Sequence, residues 1–190
     1  MPIIDSRIGK IIVVSHCILN VHSLEDGLAE FPGFEEDVLK LIMKYKVGIF
    51  QLPCPEMVIS HISRLPLPKD SYDNPVVRRR YRELAKQVVK LLKQFIEKGY
   101  KIVAIVGAEA SPTCGISIVG RWRDPRRKGR FPDDVEFVHG MGVFMEELRA
   151  ELDKYSIKVR WIGLPGKTLK KINPGLYEKA LHEIEEALKK

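Results

Sequence analysis

Three cysteines carry the clearest chemical potential in this 190-residue chain: Cys17, Cys54 and Cys114. Each is wrapped in neighbours that restrict the backbone, in "SHC", "PCPE" and "SPTCG". A thiolate is both a nucleophile and a soft metal ligand, and a ligand has to be held in place before the metal arrives. Taken singly, a free cysteine is more often a small core hydrophobe. Three is also an odd number, and for a reducing compartment a disulfide framework is a poor explanation. Two metal readings stay open. One is a Cys3His zinc site, with His16, His22, His61 or His139 as the fourth ligand, although zinc sites usually bring their cysteines in close C-x2–4-C pairs and the chain has none. The other is an iron–sulfur cluster on three protein thiolates, which leaves one iron open to a substrate atom.

The elements that must position these residues alternate along the chain. "KIIVVSH" (10–16), "VGIFQL" (47–52), "KIVAIVG" (101–107) and "IKVRWIGL" (157–164) read as strands. Their nearly continuous apolar character is that of parallel strands buried on both faces. Apolar residues spaced by three and four predict helices over 35–46, 75–98 and 142–155, and a closing helix entered through Asn173 and Pro174. Strand and helix in turn predict one α/β domain over residues 1–190. Its expected architecture is three layers, α/β/α, with a mostly parallel, Rossmann-like sheet of about four to five strands. Cys17, Cys54 and Cys114 each follow one of the first three strands. In an open parallel sheet the C-terminal strand ends share one edge, where ligands bind at the reversal of strand order. The three thiols are therefore expected to meet.

Composition narrows the field further. A hydrophobic fraction of 45% with 30% charged residues is that of a soluble globular protein, with no apolar run of membrane-spanning length. The opening "MPIIDSRIGK" has neither the apolar length nor the cleavage pattern of a leader, so a cytoplasmic location without membrane contact is expected. The formal charge of +7 gathers partly in the loop "GRWRDPRRKGR" (120–130), where arginines beside a Trp have the makings of a phosphate or RNA contact. A solvated loop is the simpler account. The Gly140–Gly142 "GxG" opening a helix reads as an anion contact or as a tight turn. P-loop, HExxH and GxSxG patterns are absent.

Read in order, "VVSHCILN", "LPCPE" and "ASPTCGI" resemble the three cysteine motifs of the 2-thiouracil desulfidase family, also called domain of unknown function 523. "GMGVFMEEL" resembles that family's later segment, so the likeness spans most of residues 10–165. It implies a [4Fe-4S] cluster held by Cys17, Cys54 and Cys114, whose fourth iron takes the sulfur of a thiocarbonyl on a nucleobase-like ring. Water then replaces the sulfur and sulfide leaves. The carboxylate after "PCP" falls on Glu56 and the serine opening "SPTCG" on Ser111, the two positions that the resemblance implies assist proton transfer. A carboxylate two residues from a ligand suits that task, because it can take the proton of an attacking water. Glu56 also reads as a helix N-terminal carboxylate, and Ser111 as a turn or cap residue. His16 and Asn20 stand where the family has smaller residues, and Glu109 where a basic residue often precedes "SPxCG". These departures change the charge and shape of the pocket, as in a divergent branch, and leave the three ligands in place.

The leading expectation is thus an iron–sulfur desulfidase acting on a thiolated small molecule. The alternatives are a zinc- or nucleotide/RNA-binding module without catalysis, and a sulfur transferase using the same cluster.

Overall fold

A computed structural model describes residues 6–29, 31–124, 126 and 129–190. Pro125, Arg127 and Lys128, in the basic loop, lie outside the described residues, as does the N-terminal stretch before Ser6. In chain order the elements are β1 (Lys10–Val14), α1 (His16–Leu19), α2 (Glu36–Tyr45), β2 (Gly48–Gln51), α3 (Pro55–Ile59), α4 (Pro75–Glu97) and β3 (Lys101–Ala108). There follow β4 (Ile118–Trp122), β5 (Val135–His139), α5 (Val143–Asp153), β6 (Trp161–Leu164), α6 (Lys167–Ile172) and α7 (Pro174–Lys189).

Four strands form a wholly parallel sheet in the order β2-β1-β3-β6. The two central strands, β1 and β3, are the most apolar and the most buried. Successive residues of a strand face opposite sides, and the core divides accordingly. Ile12, Val14, Ala104 and Val106 pack with α2 and α7 through Val38, Ile42, Ala180 and Ile184. Val13 and Ile105 face the other way, onto Tyr81, Val88 and Leu92 of α4 and Phe144 and Leu148 of α5. The result is the expected three-layer α/β/α arrangement.

Local signals account for the helix limits. Asn74 caps α4, its side chain accepting the Val77 N–H, and Pro75 occupies the first turn, where its missing donor costs nothing. The helix ends before Gly99, whose φ of +87° is left-handed.

Two expectations need correction. The stretch 120–130, expected to be a loop, begins inside β4 of the antiparallel hairpin β4–β5, with Val119 opposite Val138 and Trp122 opposite Val135. The last strand is shorter than 157–164, because pairing with β3 begins at Trp161 opposite Ile105. Among the described residues no helix is long and apolar enough to cross a membrane.

Strand order reverses between β1 and β3, since the chain passes from β1 to β2 on one side and returns to β3 on the other. That reversal opens a crevice at the C-terminal edge of the sheet.

Candidate functional site

The crevice holds a cavity of about 200 Å3, open to solvent at its mouth. Cys17, Cys54, Glu56, Ser111 and Cys114, all singled out from the sequence, line it together. Cys17 lies in α1, one turn of helix directly after β1. Cys54 is the N-cap residue of α3, and Pro55 follows it as the first helical residue, so the "PCP" corner is a strand-to-helix turn. Cys114 sits in the turn after β3.

Burial raises all three thiols above their ordinary value. Cys17 is pushed up to about 12 by burial first, then by Cys54, Glu25 and Glu56. Cys114 is raised by burial and then by Cys17 and Cys54, so the three thiols feel one another. Nearby negative charge opposes a thiolate, whereas a cationic metal would reverse the balance. Among the described residues no three His, Cys, Asp or Glu side chains converge on a single metal ion.

Glu56 is buried at 3% exposure and held by three donors. Thr113 Oγ1 donates to its Oε1 at 2.9 Å, while Arg64 Nε and the Tyr72 hydroxyl donate to Oε2, each at 3.1 Å. A carboxylate so provided for is at home without water. Arg64 also donates to the Ser23 carbonyl at 2.8 Å, and its Nη2 lies 3.8 Å from both Glu25 Oε2 and Cys54 Sγ. One guanidinium thus faces two buried carboxyls. Burial, followed by the Glu56 charge beside it, pushes Glu25 up to about 8. Glu56 and Arg64 form the ion pair, and Glu25 keeps its proton at neutral pH.

Ser111 Oγ accepts the N–H groups of Thr113 and Cys114 at 3.3 and 3.0 Å, so it holds the turn that carries the third cysteine. The turn reading is therefore correct for its oxygen, and Ser111 also lines the cavity, its Oγ 3.3 Å from Thr113 Oγ1. Glu109 is a brace. Its carboxylate accepts N–H from Ile116, Ser117 and Ile118 and the Ser117 hydroxyl, shaping the loop between β3 and β4. Gly163 permits this, since a Cβ there would sit 1.8 Å from Glu109 Oε1.

The histidines considered as zinc ligands lie elsewhere. His16 Nδ1 is 3.2 Å from the Leu52 carbonyl oxygen, His61 Nδ1 accepts the Ser63 N–H, and His22 and His139 are exposed. Asn20 Oδ1 accepts the His22 N–H and so turns the chain after α1. In the basic loop Trp122 is 6% exposed, and Arg121 pairs with Asp70 at 2.9 Å, so neither presents a free stacking or phosphate contact. The "GxG" is a tight contact: the first N–H groups of α5, on Val143 and Phe144, donate to the Pro112 and Thr113 carbonyls.

Glu25, Arg64, Tyr72 and Thr113 escaped the reading of the sequence. Thr113 lies inside a quoted motif, but the other three come from aperiodic segments brought in by the tertiary fold. Two buried hydroxyls, Ser15 Oγ and Tyr81 OH, have no hydrogen-bond partner among the described residues. Tyr81 is raised above its ordinary value by burial, then by Glu56, Tyr72, Cys114 and Cys54, and it belongs to the same core cluster as Cys114.

No profile of a known protein family matches the chain. Among solved structures the chain is similar to the [4Fe-4S]-dependent thiouracil desulfidase TudS (DUF523Vcz), over 90% of this chain and 97% of that one, with a TM-score of 0.46 and 19% identity. A likeness that distant assigns no chemistry. Among curated proteins the chain is 31% identical over 156 residues to the uncharacterized protein MJ0003 of Methanocaldococcus jannaschii, covering 82% of this chain and 86% of the relative. On that extent of shared sequence, the chain belongs to the family of this archaeal protein.

Proposed function

We propose that the protein is an iron–sulfur desulfidase that converts a thiocarbonyl and water into a carbonyl and hydrogen sulfide. The observation that carries this reading is the convergence of Cys17, Cys54 and Cys114, from the ends of three adjacent parallel strands, on one cavity with Glu56. Among the described residues, those lining the cavity bring the three thiols no histidine as a fourth zinc ligand. That suits a cluster whose irons each take one thiolate better than a single zinc ion.

Bound by these cysteines, a [4Fe-4S] cluster would supply one iron without a protein thiolate, a Lewis acid toward the substrate sulfur that makes the thiocarbonyl carbon electrophilic. Glu56 takes a proton from the attacking water, whose oxygen bonds to that carbon. The C–S bond breaks and its electrons leave with sulfur, and the protons taken from water end on the departing sulfide, so no oxidant or reductant is required. Arg64, Tyr72 and Thr113 fix the Glu56 carboxylate in place, and Ser111, in the cavity wall, would offer its hydroxyl to the substrate.

Sulfide release from 2-thiouracil and thiolated nucleosides by the anaerobically reconstituted protein tests this. Glu56→Gln is expected to keep its iron and lose at least about a hundredfold in rate, the scale of general acid–base catalysis. Iron-loaded protein that releases no sulfide from any thiocarbonyl offered would overturn the proposal.

A further inference from the structure

The cavity has two unlike ends, and their difference bears on the substrate. At the inner end stand the cysteines with Glu25, Glu56, Arg64 and Ser111. The remaining walls include Leu24, Leu28, Phe31, Leu67, Phe137 and Leu169, drawn from four separate stretches of the chain. Leu67 and Phe137 remain 40% and 37% exposed, large apolar side chains that a ligand would cover.

Much of the polar lining is already committed. Glu56 accepts three hydrogen bonds, Glu109 is filled by the loop it braces, and Arg64 is divided among Glu56, Glu25 and the Ser23 carbonyl. The backbone N–H groups of Leu24, Leu28, Glu109, Ala110 and Ser111 all donate within the protein. Four more lining residues, Pro66, Pro68, Pro112 and Pro165, have no N–H to give. A bare pyrimidine ring carries an N–H or C=O on nearly every edge, and burying those against such walls leaves them unpaired.

We infer that the substrate is a thiocarbonyl compound carrying an apolar alkyl or aryl body, its sulfur at the cysteine end and its body against the Leu28–Phe31–Leu67–Phe137 wall, rather than a bare thiopyrimidine. This rests on the desulfidase reading for the sulfur end alone; the apolar specificity follows from the walls.

Calorimetric titration of cluster-loaded and metal-free protein with uracil, 6-methyluracil, 6-propyluracil and 6-benzyluracil, the oxygen counterparts of the substrate class, tests it without turnover. Each methylene buried should tighten binding about fourfold, so 6-propyluracil should bind at least about tenfold more tightly than uracil. Phe137→Asp and Leu67→Asp, both at partly exposed positions, should erase that gain. Equal or weaker binding of the substituted compounds, or no saturable binding by any of them, overturns the inference. The two readings fail separately. Apolar preference without sulfide release from the matching thiouracils ends the desulfidase reading and leaves the specificity standing; sulfide release with a preference for the unsubstituted ring does the reverse.

Discussion

At the residue scale the buried Glu25 carboxyl governs how folding responds to pH. In the folded chain Glu25 keeps its proton up to about pH 8, whereas its ordinary value is 4.5. Between those limits the folded state binds more protons than the unfolded one, so raising the pH across that window weakens folding. Glu25→Gln is uncharged throughout and should lose that part of the decline. Thermal midpoints of metal-free wild type and variant at pH 5 and pH 8 check this, and parallel declines would contradict it. Tyr81 offers a second test. Its hydroxyl is buried without a partner, so in metal-free protein Tyr81→Phe should be neutral or slightly stabilising, within about 1 kcal/mol. In cluster-loaded protein the same change should shift the reduction potential, because hydrogen bonds to cluster sulfur set it. A loss of several kcal/mol without metal, or an unchanged potential with it, would place the hydroxyl elsewhere.

The elements act by close approach as much as by burial. α5 begins against the turn that carries Cys114, and a Cβ on Gly142 would lie 2.3 to 2.6 Å from Thr113 C and O and from Cys114 N. Those are backbone atoms that cannot swing aside. Gly142→Ala should therefore cost about 1–3 kcal/mol in denaturant unfolding and loosen the third cysteine. An unaffected midpoint would mean that the helix and the turn move freely past one another.

The same scale explains what could be read in advance. The central strands and long helices were legible because β1 and β3 are unbroken apolar runs and α4 is a long periodic face with a cap and a stop. The β4–β5 hairpin was not. Gly120 and Arg121 interrupt one strand, a charged stretch precedes the other, and the two are stabilised mainly by pairing with each other. The cysteines could be placed because each follows a legible strand. Glu25 and Arg64 could not, because their segments have no period and only the tertiary fold sets them beside Glu56.

For the molecule as a whole, the strand reversal between β1 and β3 is what makes a site out of three distant cysteines. The sheet supplies rigidity, the first turns after its strands supply the thiols, and the walls beyond supply an apolar chamber. In the basic loop Arg121 is tied to Asp70 and Trp122 is buried, so these two residues are committed within the protein. The central claim is that Cys17, Cys54 and Cys114 together hold an iron–sulfur cluster. Its most direct test is the iron and acid-labile sulfide content of the chain after anaerobic reconstitution, in wild type and in Cys17→Ser, Cys54→Ser and Cys114→Ser. The account predicts about four of each per wild-type chain and a marked loss in every variant. Zinc in place of iron, or full iron and sulfide retained when any one cysteine is removed, would contradict it.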